Sequence, residues 1–360
     1  MRFSLTDDEQ MIAGSVCELC AKSVAPDAAA WDEAAALPSA IVTEVGELGL
    51  LGMSVPEAHG GVALSCVGRA AVLETLGGGS AALAMVVAMH DSLASGHLRH
   101  AGSAAQQEAH LPEWAGGETL ATWCAPGPKL RATQTDSGWL LNGESPVTLA
   151  AAYAQILVVN ADSDDGVVSL LVGIDDKGVR RTSATQLGLH AVGASRLLFE
   201  DVQVAKDAQL GEPTDNALGR VAEEHRIALA AVACGVGRSA LRAAAEYANE
   251  REQFGRPIGT FQAIQWKLAD AATELDAAAL VTGRAAWLVD QGKAAGAASA
   301  RAKVLATTAA ERACSGALQI HGGYGYTREF PIERAVRAAK MLSAMAGTNR
   351  AARNAVAQAL

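Results

Sequence analysis

The stretch Arg251-Glu-Gln-Phe-Gly-Arg-Pro-Ile-Gly-Thr-Phe-Gln262 separates two runs of the chain that carry the same helical pattern. Upstream, Ile227, Ala231, Val232 and Val236 share one face of a helical repeat; downstream, Ile264, Leu268, Ala271 and Leu275 do the same. Glycines and a proline between Phe254 and Gly259 do not continue a helix, so the chain turns there and the flanking helices run antiparallel. Further on, only the stretch around Gln291 to Gly296 and Gly322-Gly-Tyr-Gly325 interrupt the pattern. That spacing predicts about four helices over residues 213–360, a helical bundle. Alanine dominates these helices. It loses little rotamer entropy and lets backbones approach, but each residue buries little apolar area. Association with other subunits is the expected compensation.

Working back along the chain, residues 119–212 change character. Short apolar runs bounded by turn residues, namely Gly138-Trp-Leu-Leu141, Ile156 to Val159, Val167 to Val172 and Leu197 to Phe199, read as strands. Asn142-Gly143 reads as a two-residue hairpin turn. Upstream again, residues 1–118 are rich in Ala, Leu and Glu at helical spacing, with interruptions at Pro38, Pro56 and Gly77-Gly-Gly79. The expected fold class is α+β: an N-terminal helical domain (1–118), a middle β-barrel or sandwich domain (119–212) and a C-terminal four-helix bundle (213–360).

At 360 residues, half of them hydrophobic, the chain can bury a large core. Its 29 basic and 39 acidic side chains give a formal net charge of -10. That balance repels polyphosphate and anionic lipid, which argues against nucleic-acid and membrane-surface partners. Met1 to Gln10 holds no basic segment leading into an apolar run, and the longest apolar stretch, near Ala81 to Met89, is shorter than a bilayer span. A soluble cytoplasmic protein is the expectation. The six cysteines, at positions 17, 20, 66, 124, 234 and 314, are too sparse for a disulfide scaffold and read as reduced core residues. Cys17 and Cys20 form a C-x-x-C with no second pair or nearby histidines, so no metal is expected there.

Helices, then a β domain, then helices is an order that resembles the acyl-CoA dehydrogenase flavoproteins, and matching motifs cover nearly the whole chain. Gly49-Leu-Leu-Gly-Met-Ser-Val-Pro-Glu57 with Gly60-Gly61, then Leu187-Gly-Leu189, Phe199-Glu-Asp-Val202 and Leu210-Gly211, resemble that family's turns and the end of its β domain. The most specific pieces are Arg251 to Gln262 and Gln319-Ile-His-Gly-Gly-Tyr-Gly325. The resemblance implies FAD as cofactor and removal of an α-proton and a β-hydride from an acyl thioester, with flavin accepting the hydride. It also implies cofactor-binding roles for Arg251, Phe254, Gln262, Gln319, Gly322, Gly323 and Thr348. The residue types suit those roles: arginine offers a permanently charged planar fork for a diphosphate, and paired glycines let backbone approach a ligand. Taken singly, Arg251 reads equally as a surface ion-pair partner and Gly322-Gly323 as a loop between helices.

Against that frame, Arg337-Ala-Ala-Lys-Met-Leu-Ser-Ala-Met-Ala-Gly-Thr-Asn349 resembles the family's C-terminal signature with Ala346 at the position of the catalytic glutamate. Some members carry the glutamate on an earlier helix, immediately before an arginine; that position here is His225, before Arg226. A neutral imidazole is a general base near neutral pH, whereas a lone histidine on an amphipathic helix is more often a packing residue. Two further segments depart from the family. Trp123-Cys-Ala-Pro-Gly-Pro-Lys-Leu130 stands where Thr-Glu-Pro-Gly-Ala-Gly-Ser-Asp is usual, and Val147-Thr-Leu-Ala-Ala151 where Trp-Ile-Thr-Asn-Gly is usual. What is lost belongs to a subunit's own flavin ring and substrate; what remains is the face offered to a neighbour's FAD. The resemblance therefore implies the non-catalytic chain of an α2β2 acyl-CoA dehydrogenase, with a catalytic acyl-CoA dehydrogenase-like subunit as partner and electron-transfer flavoprotein as acceptor. The alternatives are a self-sufficient flavoenzyme using His225 as base, and a non-enzymatic scaffold.

Overall fold

A computed structural model describes residues 4–211 and 217–360. The expected boundary at 212/213 lies outside the described residues. The N-terminal helices are α1 (Asp7–Leu19), α2 (Ala25–Ala34), α3 (Ser39–Glu47), α4 (Cys66–Gly79), α5 (Ala81–Ala88), α6 (Gly96–Ala101) and α7 (Ala104–Gly116). Thr6 begins α1 with a capping box: its hydroxyl accepts from the Glu9 amide and the Glu9 carboxylate accepts from the Thr6 amide. Two wider turns of π-helix, Cys20–Val24 and Met89–Ser95, join α1 to α2 and α5 to α6.

Residues 121–210 form one eight-stranded sheet of β1 (Ala121–Cys124), β2 (Arg131–Thr135), β3 (Gly138–Glu144), β4 (Ile156–Ser163), β5 (Gly166–Gly173), β6 (Val179–Ser183), β7 (Ser195–Ala205) and β8 (Gln209–Leu210). The path β6-β7-β3-β2-β4-β5-β8, with β1 on β4, is open at its ends rather than closed as a barrel. Its two halves meet at the single pairing Arg131–Asp162. They share one core, in which Leu141 and Phe199 of one half meet Val159 and Leu170 of the other, as in a sandwich. Asn142-Gly143 is not the hairpin turn. The turn is Asp136-Ser137, because Thr135 pairs with Gly138. Asn142-Gly143 lies inside β3, where the register against β7 slips between Leu141 and Gly143. Gly143 takes φ +118 there, and a Cβ would collide with the Lys129 carbonyl.

The C-terminal helices are α8 (Ala217–Glu250), α9 (Gln262–Asp290), α10 (Gly296–His321), α11 (Ile332–Ala344) and a short α12 (Asn349–Ala357), one more than the expected four. Between α8 and α9 the stretch quoted above forms a miniature hairpin, β9 (Glu252–Gln253) with β10 (Arg256–Pro257). Phe254 and Gly255 turn it with φ +55 and +79. Gly77-Gly-Gly79 forms the last turn of α4, which ends there; extended Ser80 separates it from α5. Gly77 also serves contact with α8, since a Cβ there would lie 2.8 Å from the Val232 carbonyl, and one on Gly235 would collide with the Glu74 carbonyl. As a result the N- and C-terminal helices share one core, with Leu73, Leu76, Leu83, Val232, Val236 and Leu275 in a single cluster. The longest apolar helix is also α8 rather than the stretch near Ala81. It is long and apolar enough to cross a membrane by length and composition, with mean hydropathy 1.4, and 72% of that window is buried inside the protein. Such burial is the pattern of a core helix.

Candidate active site and cofactor face

A cleft of roughly 270 Å³ opens where the helices meet the sheet. Met85 and Met89 from α5 and the wide turn after it, Trp123 from β1, Val147 to Leu149, His225 of α8 and the end of α11 line it. Ala346 stands at its edge with φ +51, in a loop whose next residue, Gly347, has φ +75. That left-handed loop is fastened from beneath. Buried Lys303 of α10 donates to the carbonyls of Ser343 (2.9 Å) and Gly347 (2.7 Å), and Thr307 pairs with Asn349. Burial pulls the Lys303 ammonium down to about 8. Thr348 begins α12, its hydroxyl accepting from the Ala351 amide. The backbone of this loop is thus held in a strained conformation around a residue that carries no base.

His225 lines the same cleft as Ala346. Its Nδ1 lies 2.8 Å from the Ser92 Oγ, which also lies 2.5 Å from the Ala88 carbonyl. Because that carbonyl can only accept, the single hydroxyl proton goes to it and the imidazole donates Nδ1–H to Ser92. Nε2 is then the unprotonated nitrogen. Burial, reinforced by Arg226, pushes the pKa of His225 down to about 3, so the ring is neutral and weakly basic. Its neighbour Glu224 faces away from the cleft, bound to Arg69 (2.8 Å), Arg99 (2.8 Å) and His100 (2.7 Å). Burial alone would raise that carboxyl, but Arg69 and the His100 hydrogen bond hold it well below its ordinary value. No carboxylate lines the cleft among the described residues. Thr148 and Leu149 both line it, and the Thr148 hydroxyl is committed to the Pro146 carbonyl at 3.2 Å.

Ser92, Lys303, Gln186 and the four cleft methionines (85, 89, 341 and 345) were not singled out in the sequence. Met85 and Met89 are one helical turn apart, a spacing indistinguishable from ordinary core packing. Lys303 sits in an alanine-rich run that reads as a solvated face until α12 folds over it.

The remaining candidate residues lie elsewhere, on the outside of the bundle. Arg251, Gly322 and Gly323 come together in a groove of about 490 Å³, together with Tyr247 and His321, whose rings stack at 4.3 Å. Gln319 lines a separate groove across α9, α10 and α11. Phe254, 93% exposed, caps the hairpin, while Gln262 begins α9 on the surface. Exposed Thr348 stays beside Ala346 instead. The Arg251 groove fits a diphosphate-bearing ligand on three observations. Arg251 makes none of the ion pairs found among the described residues, a Cβ on Gly322 or Gly323 would meet nothing within 4 Å, and the buried His321 Nε2 lacks a hydrogen bond. Gly322 has φ +59 with ψ -133, a conformation that glycine adopts and other residues avoid.

Comparison with known proteins agrees with this layout. Residues 6–118 match the family model for the acyl-CoA dehydrogenase N-terminal domain, and 216–360 that for the C-terminal domain. YngJ of Bacillus subtilis (strain 168), named a probable acyl-CoA dehydrogenase, is 34% identical over 100% of both chains. Butyryl-CoA dehydrogenase from Megasphaera elsdenii superposes with TM-score 0.96 at 28% identity, covering 100% of this chain and 99% of that one. A glutaryl-CoA dehydrogenase from Mycobacterium smegmatis, solved in complex with FADH2, gives TM-score 0.94 at 25% identity over 99% and 95%.

Proposed function

Because the chain belongs to the acyl-CoA dehydrogenase family, whose members are FAD flavoproteins, we propose that it serves FAD-dependent α,β-dehydrogenation of an acyl-CoA thioester as the subunit that completes a partner's FAD site. The observation that carries this reading is the cleft without a carboxylate: Ala346 cannot accept a proton, and His225 is neutral with a pKa near 3. A base several units below the working pH has little driving force for removing an α-proton. FAD, when bound, supplies the hydride acceptor.

The chain's own contribution is on its outer face. Arg251 holds the diphosphate through its free guanidinium, and Gly322 and Gly323 allow close backbone approach. Gln319, Phe254 and Gln262 flank the cofactor, and Thr348 fixes the loop at the edge of the cleft. A catalytic acyl-CoA dehydrogenase-like partner supplies the glutamate in a heterotetramer, and electron-transfer flavoprotein takes the electrons. The deciding measurement is the flavin-to-polypeptide ratio, taken on the protein alone and on its complex with an acyl-CoA dehydrogenase-like partner. Little flavin alone, with one flavin per two chains in the complex, is the expected result. One flavin per chain in the protein alone would sink the half-site reading.

A second reading has one observation in its favour: His225 faces the same cleft as Ala346. If it is the base of a self-sufficient enzyme, His225→Ala removes turnover in the protein alone. Retained turnover eliminates that reading.

A further inference from the structure

Two cavities lie along one seam of the molecule. The first is the cleft at Ala346; the second, roughly 190 Å³, lies between α2, the end of α4 and the starts of α5 and α11. The same two helices wall both. α5 gives Ala82 to the second cavity and Met85 to the cleft, while α11 gives Arg334 and Ala338 to the second and Met341 to the cleft. Steps of three and four residues keep these side chains on one face of each helix, about 5 Å apart along the axis. Where the two stripes join stand Met85 and Met341, unbranched thioethers whose rotamers adapt to a neighbour at small cost.

Arg334 is the one cationic side chain lining the second cavity. It makes no hydrogen bond or ion pair among the described residues. Both acids near it are taken by Arg337, which binds Asp32 at 2.7 Å and Glu333 at 2.7 and 2.9 Å. Burial lowers the Arg334 guanidinium, with partial compensation from Asp32 and Glu333. The other walls are mostly alanine and glycine; the one acid among them, Asp32, is held by Arg337 and by the His190 amide. At the same cavity α5 begins, with Ser80 capping the Leu83 amide.

We propose that the second cavity is the far end of an acyl channel, and that Arg334 there binds a carboxylate at the terminus of an acyl chain whose thioester lies at the Ala346 cleft. The proposal rests on the reading of that cleft as an acyl site, and not on the half-site assignment. A partly desolvated arginine without a partner is matched by a carboxylate, which takes two parallel N–H donors of the guanidinium. Arg334 and Ala344 are ten residues apart on α11, about 15 Å, so the ligand is a long-chain diacid thioester.

The test is calorimetric binding of tetradecanedioyl-CoA and tetradecanoyl-CoA to the protein as purified, to Arg334→Leu and to Arg334→Gln. The diacid thioester binds the parent protein about tenfold more tightly than the monoacid. Both substitutions erase that preference while leaving tetradecanoyl-CoA binding within about twofold. Equal affinities in the parent protein, failure of both probes to bind, or a preference that survives Arg334→Leu and Arg334→Gln would each overturn the proposal. A preference belonging to a partner's cleft survives these substitutions, and the flavin ratio is read separately, so this proposal and the half-site reading fail independently.

Discussion

At residue scale, His225 shows how burial changes what a motif can do. In the sequence it is an imidazole at a position where relatives place a base; in the fold it is sealed against Ser92 and neutral. Its folded pKa of about 3 lies below the ordinary 6.5. Between those values the unfolded chain binds a proton that the folded chain refuses, so stability falls as pH drops from 6.5 towards 3. The difference amounts to at most ~5 kcal/mol. Urea midpoints between pH 4 and 7 fall with a smaller slope in His225→Asn than in the parent; equal slopes would show that the ring titrates normally. His97, buried and lowered to about 4, adds slope in the same direction and leaves part of it in the variant. None of this was legible from position 225 alone, because the seal comes from Ser92 in a wide helical turn 133 residues away.

At the scale of elements, strands and helices were readable where periodicity was long, and misread where a glycine served a bulge instead of a turn. Gly77-Gly-Gly79 reads as a break, and α4 does end at Gly79, while the missing side chain of Gly77 also lets α8 approach. Asn142-Gly143 reads as a hairpin turn, yet it forms a bulge against β7. Glycine reports a need for space or for positive φ, and the local sequence does not say which. The α4–α8 contact carries a direct prediction. In Gly235→Ala the new methyl meets the Glu74 carbonyl, and the helices must separate. Chemical denaturation registers a loss of about 3 kcal/mol. A loss under about 0.5 kcal/mol would mean the two helices yield freely.

At the scale of the whole molecule, α4, α8 and α10 share one core and the sheet has a second, while a third cluster joins α6 and α7 to β1, β4 and β8. Hydrogen exchange therefore shows α4, α8 and α10 opening together at one free energy, with β4 and β5 opening as a separate unit. Independent opening of α4 and α8 would contradict the shared core. The order of helices, sheet and helices, the turn at Phe254-Gly255 and the identity of the residues at 225 and 346 were determined by the sequence alone, because periodicity, turn chemistry and residue type are local properties. Only the tertiary structure decided that Ala346 and His225 face one cleft, that Arg251 and Gly322 share an outer groove, and that Arg334 is left without an acid. Each of these depends on contacts between segments far apart in the chain, and no local pattern records which distant helix will cover, pair with or expose a side chain.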